Sequence, residues 1–154
     1  DRTRWMRDCI EAILPRAEKR GVGLAIENVP FASFPDAASL GAFVRSFGTP
    51  VVAACYDAAN AHYVREDPAE GIRHLADLIR IIHVSDTPQD VWKHDPVGTG
   101  TVPIEAVAEA LAEIGFEGPT MMEIVDGDPE AAILRSHDLL AQAGFPARIP
   151  GGAA

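Results

Sequence analysis

"IIHVSDTPQDVWKHDPVGTGTVPIEAV", residues 81–107, joins an apolar run ending at His83 to a polar loop with a second histidine and spaced glycines, and then opens a helix. Side chains alternate across a strand, so His83 shares a face with Ile81 and Ser85 while Ile82 and Val84 look the other way. Downstream, Ile104, Val107, Ala108, Leu111 and Ile114 fall on one helical face. The stretch therefore reads as one βα unit with a polar group at the strand tip.

The same unit recurs on both sides. Upstream, "VGLAIENVP" (22–30) is a β-like run stopped by Pro30, and "PDAASLGAFVRSFG" (35–48) is a helix with Asp36 near its start. Next, "PVVAACYDAANAHY" (50–63) reads as a strand running into a loop, and "DPAEGIRHLADLI" (67–79) as a helix capped by Asp67 with Pro68 at its first position. Downstream lie the strand "TMMEIV" (120–125) and a helix over 128–144. The chain opens on a further amphipathic helix, in which Trp5, Met6, Cys9, Ile10, Ile13, Leu14 and Ala17 recur at helical spacing, as if docked on something. A helix followed by four strand–helix pairs points to an α/β fold of parallel βα repeats with right-handed crossovers. We expect one domain over residues 1–146 and a loose tail at 147–154.

Each strand carries one metal-capable residue near its C-terminal end: Glu27, Asp57, His83 and Glu123. Glu27 shares a face with Gly23 and Ala25, Asp57 with Ala53 and Cys55, and Glu123 with Met121, leaving residues suited to pack under helices on the other face. Taken singly, a strand-terminal acid reads as a capping or loop-facing carboxylate, and a strand histidine as a satisfied core residue. Four at corresponding positions of successive units point instead to one shared divalent ion, and this donor set suits Mn²⁺, Mg²⁺, Co²⁺ or Zn²⁺.

Composition bounds the partners. The 154 residues are 47% hydrophobic, enough for one real core, with 13 Lys and Arg against 23 Asp and Glu and a formal charge of −10. That balance argues against a nucleic-acid partner, which calls for a basic surface. No stretch reaches the ~18 apolar residues of a membrane span and no signal-peptide pattern opens the chain, so neither a membrane partner nor export is expected. Cys9 and Cys55 are too few for a disulfide framework, read as buried thiols, and fit the cytoplasm. His74 and His137 read as surface residues of helices.

The segments "LAIENVP", "CYDAANAH", "IIHVSDTP", "HDPVGTGTVP" and "GPTMMEI" together resemble the xylose-isomerase-like TIM-barrel superfamily, in its sugar phosphate isomerase/epimerase branch. The resemblance covers nearly the whole chain but only strands five to eight of an eight-stranded barrel. It implies a half-barrel, completed either by dimerisation or by the N-terminal half of a longer chain. It also implies that Glu27, Asp57, His83 and Glu123 hold one divalent metal, and that Glu27 and Glu123 are the catalytic proton shuttle. The expected reaction is epimerisation or isomerisation of a sugar or hydroxy-keto compound through an enediolate held at the metal.

Two alternatives keep the metal site: a dehydratase of the inosose or dehydroshikimate type, and a non-catalytic metal-binding half-barrel. The family's usual histidine after the strand-six aspartate is replaced by Asn60, with His62 nearby. Both are expected to contact substrate, as are His94, Gly98 and Gly100 in the loop after strand seven, where barrels bind phosphate or substrate oxygens. Asp86 is expected to orient a ligand from behind. Trp92 stands where the related apurinic endonucleases carry a zinc-binding aspartate, which disfavours a zinc cluster and a nuclease.

Overall fold

The computed structural model describes residues 2–145; the expected tail at 147–154 lies outside the described residues. The elements run α1 (Arg2–Arg20), β1 (Leu24–Glu27), α2 (Ala37–Arg45), β2 (Val52–Asp57), α3 (Ala58–Tyr63), α4 (Pro68–His74), β3 (Ile79–Val84), α5 (Ile104–Glu113), β4 (Thr120–Met122) and α6 (Pro129–Gln142). The four strands are parallel and lie side by side in chain order. The fold is thus an α/β half-barrel of successive βα units.

Alternation along the strands sorts the residues as the sequence predicts. Val52, Ala54 and Tyr56 of β2, with Ile82 and Val84 of β3, point under the helices and are buried against Leu40, Val44, Ile72, Leu75, Val107 and Leu111. Completely burying each large aliphatic side chain contributes about 1.5–3 kcal/mol, so this layer supplies the main driving force for the sheet. The helices begin where caps allow: Asp36 accepts from Ser39 N at 2.7 Å, and Asp67 accepts from Ala69 N at 2.9 Å ahead of Pro68.

Three expectations are corrected. The segment after β2 is a short helix, α3, rather than a loop, because Asp57 caps it and Ala58, Ala59 and Ala61 pack into the core. On α1 only Ile10 and Ala17 are buried, with Leu14 packed beside the core, whereas Trp5 is 68% and Ile13 50% exposed. The apolar stripe of α1 is broader than the surface it meets within this chain. For the same reason Cys9 is exposed, while Cys55 is buried as expected.

Candidate metal centre

The strand register brings the four tip residues together. Glu27 pairs with Cys55, Asp57 with His83 and His83 with Met121, so Glu123 follows one pleat beyond β4, its amide donating to Val84 O at 3.1 Å. One donor atom from each of Glu27, Asp57, His83 and Glu123 lies within 4.8 Å of all the others. His83 Nδ1 faces both glutamates, 3.1 Å from Glu27 Oε1 and 2.9 Å from Glu123 Oε2.

Asp57 is the most constrained member. It is both the last residue of β2 and the N-cap of α3, its Oδ1 accepting from Asn60 N at 2.5 Å. The other oxygen, Oδ2, is buried and has no hydrogen-bond partner, in a side chain that is 0% exposed. Burial pushes this carboxyl up to about 7, helped by the negative charges of Glu27 and Glu123. A buried, unpartnered carboxylate oxygen aimed among two further carboxylates and an imidazole is what a divalent cation would satisfy. The residues therefore fit such an ion. His83 responds to the same crowding of acids: contact with the Cys55 thiol, then the bond to Glu27, push its imidazole up to about 11.

Residues beyond the four set the surroundings. Asn28, buried and next to Glu27, donates through Nδ2 to Asp57 O at 3.0 Å and accepts from Asp57 N at 2.7 Å. Asn60 donates through Nδ2 to Asn28 O at 2.9 Å and accepts from Trp92 Nε1 at 2.7 Å, so its amide is taken up by the protein. The roles of Asn28 and of the Trp92 indole escape sequence reasoning. The only signal for Asn28 is its place directly after a tip glutamate.

The expected substrate contacts divide into two groups. His94 lies beside the centre, its Nδ1 2.9 Å from Ser85 Oγ and 4.0 Å from Asp57 Oδ2. His62, on α3, sits 2.8 Å from Thr101 Oγ1, and burial lowers its pKa. Gly98 and Gly100 wrap Asp86 instead of presenting an open cradle. Gly98 N donates to Asp86 Oδ2 at 2.9 Å, while Thr87 N and Val102 N donate to Oδ1 at 2.9 and 3.0 Å. A Cβ on Gly100 would overlap Asp86 Oδ1 and approach Thr87 backbone atoms to 2.6 Å, which explains the glycine. Asp86 thus shapes the loop that carries His94, rather than touching one of the four donors.

A parallel half-barrel whose strand tips converge as acids and a histidine defines a class, and sequence comparison supplies the family. The profile described as xylose isomerase-like TIM barrel matches residues 1–143, and the chain belongs to that family. L-ribulose-5-phosphate 3-epimerase UlaE of Escherichia coli O1:K1 / APEC is 26% identical over 142 residues, covering 88% of this chain and 49% of that protein. The structure of D-psicose 3-epimerase with D-tagatose from Clostridium cellulolyticum H10 matches with a TM-score of 0.76 at 18% identity, over 90% of this chain and 55% of that one. The probable 3-DHS dehydratase AsbF from Bacillus anthracis gives a TM-score of 0.77 at 12% identity, over 87% and 54%. The chain spans about half the length of the curated relatives it matches.

Proposed function

We propose that this chain supplies the metal-binding and proton-transfer half of an active site that epimerises or isomerises a ketose or related hydroxy-keto compound. The observation that carries this reading is the convergence of Glu27, Asp57, His83 and Glu123 within 4.8 Å, with Asp57 Oδ2 buried and unpartnered. These four residues would hold one divalent ion, Mn²⁺, Mg²⁺, Co²⁺ or Zn²⁺. When bound, such an ion polarises the carbonyl of a hydroxyketone and acidifies the adjacent C–H.

The rest is work for the side chains. Glu27 and Glu123 reach the centre from the two ends of the sheet, so one carboxylate can take the proton from the carbon beside the carbonyl while the other returns a proton from the opposite side. Return to the other face of the same carbon epimerises, and return to the neighbouring carbon isomerises. Asp57, fixed by Asn28 and by the start of α3, does not need to move during either step. His94, beside the centre, would meet a substrate oxygen.

Among the described residues β1 and β4 each have one free edge, and covering these edges with an N-terminal half or a second copy would close the pocket. No helix of the described residues is long and apolar enough to cross a membrane. The free, exposed Cys9 fits a reducing compartment, and we assign the protein to the cytoplasm.

Metal titration followed by product analysis tests the proposal. Uptake of one Mn²⁺ per chain and exchange of the substrate C–H proton with solvent during ketose turnover are expected. Water loss from an inosose or from dehydroshikimate would make the chain a dehydratase instead. Metal uptake with no turnover of either class, in an assembly whose β1 and β4 edges are covered, would leave a non-catalytic half-barrel.

A further inference from the structure

The four donors stand on four different strands, and one short segment, Trp92 to His94, is bonded to the tips of all of them. Trp92 Nε1 donates to Asn60 Oδ1 at 2.7 Å, and Asn60 Nδ2 donates to Asn28 O at 2.9 Å, next to Glu27. The amide of the same Asn60 donates to Asp57 Oδ1 at 2.5 Å, so the ends of β1 and β2 both hang on this residue. His94 serves the other two strands. Its Nδ1 lies 2.9 Å from Ser85 Oγ, two residues past His83, and its carbonyl accepts from Val125 N at 2.7 Å, two residues past Glu123.

Within this lacing the Trp92 bond decides a direction. Asn60 is buried, and its side-chain amide bridges groups of opposite kind: the indole N–H can only donate and the Asn28 carbonyl can only accept. One orientation satisfies both, with Oδ1 toward Trp92 and Nδ2 toward β1. Without the indole, Oδ1 becomes a buried acceptor lacking a donor, and turning the amide to find one would release Asn28 O. Asn28 in turn holds the Asp57 backbone through its own side chain. Every group in this relay lies among the described residues, so the relay does not depend on what covers the edges of the sheet.

We infer that Trp92, which touches none of the four donors, is a positioning residue of the metal centre and acts through Asn60 on the tips that carry Glu27 and Asp57. The inference rests on the reading of Glu27, Asp57, His83 and Glu123 as a metal centre and adds a residue to it.

Calorimetric titration of the full chain with Mn²⁺, with the electron paramagnetic resonance spectrum recorded at saturating Mn²⁺, tests it. Trp92→Phe keeps a ring between Phe31 and His94 and removes the N–H. Mn²⁺ should bind about three- to tenfold more weakly, the scale of one hydrogen bond, and the spectrum of the saturated variant should differ from wild type because the donors sit differently around the ion. In an Asn60→Ala background the same substitution should cost no further affinity, since the relay is already cut; if Asn60→Ala does not fold, the single variant decides alone. A Trp92→Phe chain with wild-type Mn²⁺ affinity or a wild-type spectrum, whatever its melting temperature, would overturn the inference, as would an equal loss in the Asn60→Ala background. Failure of the wild type to take up Mn²⁺ would instead defeat the reading of the centre.

Discussion

Asn28 and Asp57 clasp each other across the tips of β1 and β2, the Asn28 side chain donating to Asp57 O at 3.0 Å and accepting from Asp57 N at 2.7 Å. The Asp57 backbone is thereby fixed by one strand neighbour while Oδ1 is fixed by Asn60, and only Oδ2 is left over. The direction of that free oxygen is set by groups that never touch it.

Replacing Asn28 with Ala should therefore act twice. It strips two hydrogen bonds from buried backbone groups, each worth about 1–3 kcal/mol when left unsatisfied, and this loss should appear as a lower denaturant midpoint. It also frees the Asp57 tip, so Mn²⁺ affinity should fall by roughly 10–100-fold, the usual scale for removing a partner that orients a ligand. A variant that unfolds early but binds Mn²⁺ at wild-type strength would show that the clasp serves the fold alone.

Glu123 is the most accessible of the four donors, with its side chain 45% exposed. Glu123→Gln keeps the shape and removes the basic oxygen, so melting should stay near wild type while turnover falls by about 10²–10⁴-fold, the range for a general base. Undiminished activity in this variant would contradict the proton shuttle.

The pH dependence of the metal-free chain follows from two raised pKa values. Asp57 is lifted from 3.8 to about 7, so its burial costs nothing below the unfolded value, and the cost grows from pH 4 to 7 and persists above. His83 is lifted from 6.5 to about 11, so its stabilising contribution is complete below 6.5 and is lost as the pH rises toward 11. The metal-free chain therefore loses stability with rising pH, from about 4 to 7 through Asp57 and from about 6.5 to 11 through His83. Melting temperatures after chelation, measured from pH 5 to 9, should decline, and saturating Mn²⁺ should reverse the trend because the ion competes with these protons. Calorimetry in buffers of different ionisation enthalpy should register proton release on Mn²⁺ uptake at pH 7.

Gly100→Ala should loosen the loop without touching the four donors. The added methyl would meet Asp86 and the Thr87 backbone, and overpacking of this kind typically costs about 1–3 kcal/mol. Faster proteolysis between residues 87 and 101, with metal affinity retained, is the expected signature.

Period-2 alternation placed Glu27, Asp57, His83 and Glu123 at matching strand tips, and together with the family resemblance this made their convergence an expectation that the structure meets. Such patterns report which side a residue faces. They do not report which partner completes a buried hydrogen bond, and for that reason the Asn28–Asp57 clasp and the Trp92–Asn60 bond, each joining residues about thirty apart in sequence, stayed hidden. The helix α3 escaped because its alanines carry little periodic signal and its cap is itself a centre residue. Gly98 and Gly100 were visible as a loop motif, but that the anion they surround is Asp86 depends on a chain reversal that no local spacing encodes.

That reversal has a wider meaning. Asp86 and Asp95 exchange both backbone hydrogen bonds at 2.8 Å, so the segment between them is drawn into a closed loop. Inside that stem the loop is tied down again, Trp92 to Asn60 and His94 O to Val125 N at 2.7 Å, so a change of sequence within residues 87–94 would be felt at the centre itself.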